Sequence, residues 1–214
     1  MDLYHIVDSP PCWSVRITAA ALNVKLNLKE MDLLEKKNHL SPEFTKLNPQ
    51  QTVPTLVVEK DFIMAESRAT IAYLADKYGK DDSLYPKDLK TRAIVNQRLF
   101  FDIGTLYDKI LYYYFAKFFN KQPDPQDLKR FEKALGVLNT FLEGNNYVAG
   151  TKTFTIADIS LYSSLKCVTV FNFDFSPYPN VKKWLKLMDE KAPAKEVITE
   201  GLKELKALLE TYNA

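Results

Sequence analysis

Apolar positions recur in two different rhythms along the chain, and the change between them divides it. Over the first 80 residues, short apolar runs alternate with helical patterns. Leu3 to Val7 is a short strand candidate. From Pro10 to Leu22 the residues Val15, Ala19 and Leu22 recur at helical spacing with no glycine between them, which predicts a helix. Leu26 to Asp32 alternates through Leu26, Leu28 and, less cleanly, Met31, and suits a strand. Thr55 to Val58 and Phe62 to Met64 flank the charged turn Glu59-Lys60-Asp61 and read as a hairpin. Glu66 to Tyr78 is amphipathic, with Ile71, Tyr73, Leu74 and Tyr78 as its apolar set, and Gly79 ends it as a C′ residue. The order β-α-β-loop-β-β-α implies a mixed sheet flanked by helices, its first two strands parallel through a right-handed crossover.

The polar stretch from Gly79 to Lys90, with Pro86 in it, reads as the connection. It sets a first domain at 1–80, a linker at 81–90 and a second domain at 91–214. Beyond it the segments Thr91 to Phe119, Asp124 to Glu143, Ile156 to Val170, Asn180 to Glu190 and Ala194 to Thr211 all read as helices. An α/β domain therefore precedes an all-α one, and a total of only six glycines agrees with a helix-rich chain. Charge adds little: 29 basic and 27 acidic residues give a net +2, so electrostatics makes no case for nucleic acid as a partner. The two cysteines, Cys12 and Cys167, are too few for a disulfide framework and lack zinc spacing, and His5 and His39 are too few for a His-rich site, so no metal is expected. Met1 to His5 lacks the basic and apolar regions of a signal peptide, and no run of 18 apolar residues suggests a membrane span. A reduced, cytoplasmic setting is the expectation.

Candidate chemistry starts at Asp8-Ser9-Pro10-Pro11-Cys12, where a strand ends and a helix begins. Proline suits the first helical turn, which leaves Ser9 at or just before the helix N-terminus. Two readings are open there: a plain N-cap, or a hydroxyl that donates to the thiolate of a ligand and lowers its thiol pKa. Cys12 makes a Ser-x-x-Cys spacing that echoes the Cys-x-x-Cys of thioredoxin-like proteins; its other reading is a small buried core residue. A cis Val53–Pro54 bond would leave the Val53 N–H and C=O free for an extended peptide ligand. Glu66 or Ser67 would start the second helix, where backbone N–H groups and the Ser67 hydroxyl can hold a carboxylate and Glu66 an amino group. Tyr107, Leu111, Tyr112, Tyr113, Tyr114, Phe115, Phe118 and Phe119 are apolar on nearly every side of one helix, which implies packing plus a cleft wall. Thr155 and Asp158 form a capping box, with Phe154 and Ile159 placed as its staple.

Together these features resemble the cytosolic glutathione transferases over essentially the whole chain. The match is most similar to the insect delta class, with the epsilon class the nearest alternative. It rests on Ser9-Pro10-Pro11-Cys12, His39-Leu40-Ser41-Pro42-Glu43-Phe44, Leu47-Asn48-Pro49-Gln50, Glu66-Ser67-Arg68-Ala69, the run from Tyr78 to Pro86, and Asn96-Gln97-Arg98-Leu99-Phe100-Phe101-Asp102. The resemblance implies a thioredoxin-like first domain, glutathione as co-substrate, a homodimer, and conjugation of the glutathione thiolate to hydrophobic electrophiles in detoxification. Ser9 would activate the sulfur, and Val53 would pair its backbone with the cysteinyl part beside cis-Pro54. Glu66 and Ser67 would hold the γ-glutamyl end, with Arg68 near it, and His39 would lie near the glycyl carboxylate. Asp102, across the dimer from Arg68, would support that network. Tyr107, Tyr114 and Phe118 or Phe119 would face Pro11 and Leu34 across the apolar site, and Phe100 and Phe101 would fall at the dimer interface. Three positions depart from the family: Gln51 where a histidine is usual, Asp8 where a glycine is common, and Trp13 where an arginine is common. Gln51 can still bind the glycyl carboxylate, but without charge. A non-catalytic carrier of apolar ligands, and a thiol–disulfide reductase acting through an exposed Cys12, are the rival readings.

Overall fold

The computed structural model describes residues 1–119 and 121–213, without the side chains of 119, 212 and 213. The chain opens with β1 (Asp2–His5), α1 (Pro10–Ala21) and β2 (Asn27–Glu30). A 3₁₀ turn (Asn38–Leu40), α2 (Pro42–Leu47), β3 (Thr55–Glu59), β4 (Phe62–Met64) and α3 (Ser67–Tyr78) complete the first half. The strands form one sheet in the order β2-β1-β3-β4. β1 pairs parallel to β2, with Leu3 opposite Leu28, and antiparallel to β3, with Leu3 opposite Leu56. The two central strands bury Leu3 and Leu56 completely, whereas every residue of the edge strand β2 is exposed. The β-α-β-β-β-α order expected from the rhythm is present, with α2 added in the stretch read as loop, and the first half is thioredoxin-like as the family resemblance implied.

The second half is helical: α4 (Leu89–Phe101), α5 (Asp108–Tyr114), α6 (Pro125–Phe141), α7 (Ile156–Lys166), α8 (Pro179–Lys191) and α9 (Lys195–Asn213). Between α4 and α5 lies a π-helical turn, Asp102–Tyr107, and 3₁₀ turns follow α5 at Ala116–Phe119 and α7 at Cys167–Phe171. The unbroken helix expected from Thr91 to Phe119 is therefore four segments, and the one expected to Val170 ends its α-helical part at Lys166. Apolar residues on all sides hide such breaks, because no polar face marks where the hydrogen-bond register changes.

The halves share one core. α1 packs against α3 on one side and α7 on the other, so Val15 and Ile17 join Ile71 and Leu74 to Leu161 and Leu165 in one buried cluster. Gly79 ends α3 as expected, in extended backbone at φ −61°, ψ 129°. Glycine is needed there for space, since a Cβ would lie 2.6 Å from the Ala75 carbonyl oxygen and 2.7 Å from that of Asp81.

Candidate active site

Ser9 stands in extended backbone (φ −92°, ψ 117°) as the N-cap of α1. Its Oγ accepts the Cys12 N–H at 3.4 Å, and its carbonyl accepts the Trp13 N–H at 3.0 Å. Pro10 and Pro11 bring no N–H to this first turn, so the cap serves the first donor the helix offers. The two readings of Ser9 are compatible, because the bond uses an oxygen lone pair and leaves the O–H free to donate. Accepting an N–H also polarises the hydroxyl and strengthens it as a donor. The Trp13 indole N–H donates to the Val7 carbonyl at 2.5 Å, so one residue ties down the turn on both sides of Asp8. Cys12 is fully buried, and burial pushes its thiol up to about 12 against the opposing hydrogen bond from Ser9. The exposed, acidic thiol that a reductase needs is absent at Cys12. Asp8 is half-buried; burial first, then Glu204 and Glu30, raises its carboxyl above the ordinary value.

The residues expected to hold a tripeptide come from four loops and helix starts. The Val53–Pro54 bond is cis, and the Val53 N–H and C=O have no partner among the described residues. Gln51 sits at φ +57° and donates its Nε2 to Thr45 Oγ1 at 3.0 Å. His39, in the 3₁₀ turn before α2, keeps a buried Nδ1 without a partner among the described residues. Glu66 caps α3 at φ +69°, ψ 102°, a backbone region that costs a non-glycine residue about 1–3 kcal/mol. Thr70 holds it there, through its N–H and its hydroxyl, both 3.0 Å from the Glu66 carbonyl. That geometry presents Ser67, 2% exposed, at the first position of α3.

Arg68 anchors this corner from within the same chain. Its Nε and Nη2 donate to Asp102 Oδ2 at 3.2 and 2.8 Å, and its Nη1 to Ser67 Oγ at 3.0 Å. Asp102 is thus paired inside the protomer, which corrects the expectation that it reaches Arg68 across a dimer. Burial is the largest single influence and opposes the Arg68 charge, but Asp102, Tyr107 and Glu66 together outweigh it, and the guanidinium pKa lies above its ordinary value. The π turn explains the meeting. In an α-helix, residues five apart lie about 140° apart around the axis. The wider i→i+5 turn brings Asp102 and Tyr107 toward one side, where Arg68 bonds the first and lies 5.0 Å from the ring centroid of the second. Ser160, which sequence reasoning missed, donates to Asp102 Oδ2 at 2.5 Å. The available signal was a group of serines on one helix, Ser160, Ser163 and Ser164, all of them buried within α7.

The apolar side divides. Tyr114 packs into an aromatic cluster, with ring centroids 4.7 Å from Phe171 and 5.7 Å from Phe131, and Phe118 stacks on Phe115 at 5.7 Å. The Phe119 side chain lies outside the described residues. Pro11 is half-buried and Leu34 is exposed. Leu34 lines a cavity of about 730 Å³, bounded by Ile6, Val7 and Asp8 beyond β1, by the segment 30–38, and by Glu200, Glu204 and Leu208 of α9. Tyr107, Tyr114 and Phe118 are not among its lining residues. No group of His, Cys, Asp and Glu among the described residues could hold a metal ion.

Residues 3–82 match the family model of the glutathione S-transferase N-terminal domain, and residues 105–191 that of the glutathione S-transferase C-terminal domain. Among solved structures, a delta-class glutathione transferase from Nilaparvata lugens is 45% identical, with 99% of each chain covered and a TM-score of 0.92. A Bombyx mori glutathione transferase is 40% identical over 96% of each chain, with a TM-score of 0.89. An epsilon-class enzyme of the housefly, Musca domestica, is 39% identical over 99% of this chain and 98% of that one, with a TM-score of 0.87. With both halves of the chain matched and full-length likeness at these identities, the chain belongs to the glutathione transferase family.

Proposed function

We propose that this protein conjugates the thiol of glutathione to apolar electrophiles, with Ser9 as the group that stabilises the thiolate. The carrying observation is the Ser9 hydroxyl, which accepts the Cys12 N–H and keeps its own proton to donate. The tripeptide fits the surrounding residues: the free Val53 N–H and C=O suit the cysteinyl backbone, and Ser67 at the start of α3 suits the γ-glutamyl carboxylate. Glu66 suits the amino group, while His39 and Gln51 suit the glycyl carboxylate. Arg68, fixed by Asp102, positions Ser67. The sulfur lone pair then attacks the electrophilic carbon, a C–S bond forms, and the leaving group departs with the bonding pair. Lowering the thiol pKa by two units raises the thiolate fraction at pH 7 about a hundredfold. Pro11 and Leu34 serve the electrophile side, and Tyr107, Tyr114 and Phe118 or Phe119 complete it.

This reading assigns residues 1–80 to glutathione binding, 81–90 to a linker and 91–214 to the helical domain with the second-substrate wall. A homodimer is proposed on Phe100, 73% exposed on α4, with the apolar side chain of Leu89 also exposed on that helix. A cytoplasmic setting is proposed on two buried, unpaired cysteines.

Ser9→Ala tests the site. The pKa of enzyme-bound glutathione, followed by thiolate absorbance, is expected to rise by about two units and turnover to fall about a hundredfold. Removal of the cap costs only about 1 kcal/mol, so the variant remains folded. Full turnover in Ser9→Ala would remove Ser9 from the mechanism. Retained binding of an apolar ligand alongside lost conjugation would separate catalysis from mere carriage.

A further inference from the structure

Glu200, Glu204 and Leu208 are spaced four apart and so share one face of α9. That face closes the cavity of about 730 Å³ beside Asp8, a volume within the roughly 300–1,000 Å³ usual for small-molecule sites. Its apolar wall comes from Ile6, Val7, Met31, Leu33, Leu34 and Leu208. Its charged groups are unbalanced: Asp8, Glu30, Asp32, Glu200 and Glu204 against Lys36 alone. Arg16, on α1, reaches Glu200 at 3.2 Å and offsets that one carboxylate. The Asp32 carboxylate accepts the Leu34 and Glu35 N–H groups of its own loop. Glu204 has no ion-pair partner among the described residues. Like charges four apart are unfavourable within a helix, so the Glu200–Glu204 pair serves no helix-forming purpose.

We propose that this cavity selects electrophiles that carry a positive charge on an apolar body, with Glu204 and Asp8 as the specificity-determining residues. The inference rests on the conjugation reading above and names the substrate class of that site. Asp8 directly precedes Ser9 in the chain, so a ligand held against Asp8 lies next to the turn that presents the hydroxyl. Carboxylates around a low-dielectric cavity focus a negative potential inside it and concentrate cations there. The raised Asp8 carboxyl, crowded by Glu204 and Glu30 as well as desolvated, is the strain that a bound cation relieves.

The test uses three aryl halides with one reactive ring and different side groups: a quaternary ammonium, a neutral isostere and a carboxylate. Each kcat/KM, measured at saturating glutathione, is divided by its uncatalysed rate. The ammonium compound is expected to exceed the carboxylate compound by about tenfold or more, an advantage that shrinks in high salt. Glu204→Gln is expected to lower the ammonium-to-neutral ratio, and Glu204→Lys to invert it. Equal values for all three compounds, or a ratio unmoved by Glu204→Lys, would overturn the proposal while conjugation itself stands. If none of the three is conjugated, the conjugation reading is what fails. Equilibrium binding of an unreactive quaternary ammonium analogue against its neutral isostere then decides the cavity: tighter binding of the cation supports it, and equal binding overturns it.

Discussion

Asp158 gathers four hydrogen bonds from three separate segments. Its Oδ1 accepts the Val148 N–H at 2.9 Å and the Trp184 indole N–H at 3.0 Å, while its Oδ2 accepts the Thr155 N–H and hydroxyl at 2.8 and 3.0 Å. The Thr155 half was legible as a capping box, because its partners lie three residues apart. The Val148 and Trp184 bonds were not, because nothing local marks a donor that arrives from another helix or loop. Asp158→Ala is accordingly expected to cost more than a lost cap, about 3–5 kcal/mol, since two buried donors are also stranded. A urea midpoint shifted by under 1 kcal/mol at constant slope would refute this. Asp8 acts in the opposite sense. Its folded pKa is raised, so the stability it contributes is fully present below the unfolded value and is lost as pH rises through the folded one. Asp8→Asn is therefore expected to raise the melting temperature near pH 7, with the gain fading as pH falls toward 3.8, the unfolded reference. Melting curves across that range provide the check, and a gain that grows on acidification would contradict it.

Among elements, the ones that follow a local rhythm were readable, and the ones set by a distant partner were not. The strand and helix order of the first half came through because alternation and helical spacing are intrinsic to each segment. α2 passed as loop, although Ser41 caps it by accepting the Phe44 N–H at 3.2 Å and Pro42 and Glu43 follow, a start signal that was present. The π turn at Asp102–Tyr107 left no such mark, since it exists to meet Arg68 from another element. The docking of α9 on α1 is equally invisible in sequence. Gly201 faces Trp13 so closely that a Cβ would sit 2.3 Å from the indole Nε1. Gly201→Ala should therefore destabilise the protein by about 1–3 kcal/mol through overpacking. In a Trp13→Ala background, which removes the struck ring, the same change should cost less; an equal cost in both backgrounds would show that the contact is not the cause.

At the scale of the whole molecule, the two-half architecture was legible because one half carries strand rhythm and the other does not. The cavity was hidden, as it pairs residues near the start of the chain with α9. The proposed dimer draws on Phe100, which is exposed on α4. Phe100→Asp is expected to shift the protein from dimer toward monomer in sedimentation at micromolar concentration, because a buried, unpaired charge opposes the association of two apolar faces. A variant that sediments as the parent does would take Phe100 out of the interface.

The Trp13 indole that ties the Val7 carbonyl is itself backed by Gly201. In order of synthesis, the turn bearing Ser9 emerges from the ribosome well before the glycine that backs its brace. The first domain can collapse early around its own sheet, as leading domains do during translation. The turn bearing Ser9, however, receives its final brace only when α9 has docked. A nascent chain halted before α9 would thus hold a formed sheet and an unfinished turn, which makes the synthesis and docking of α9 a condition for the finished turn.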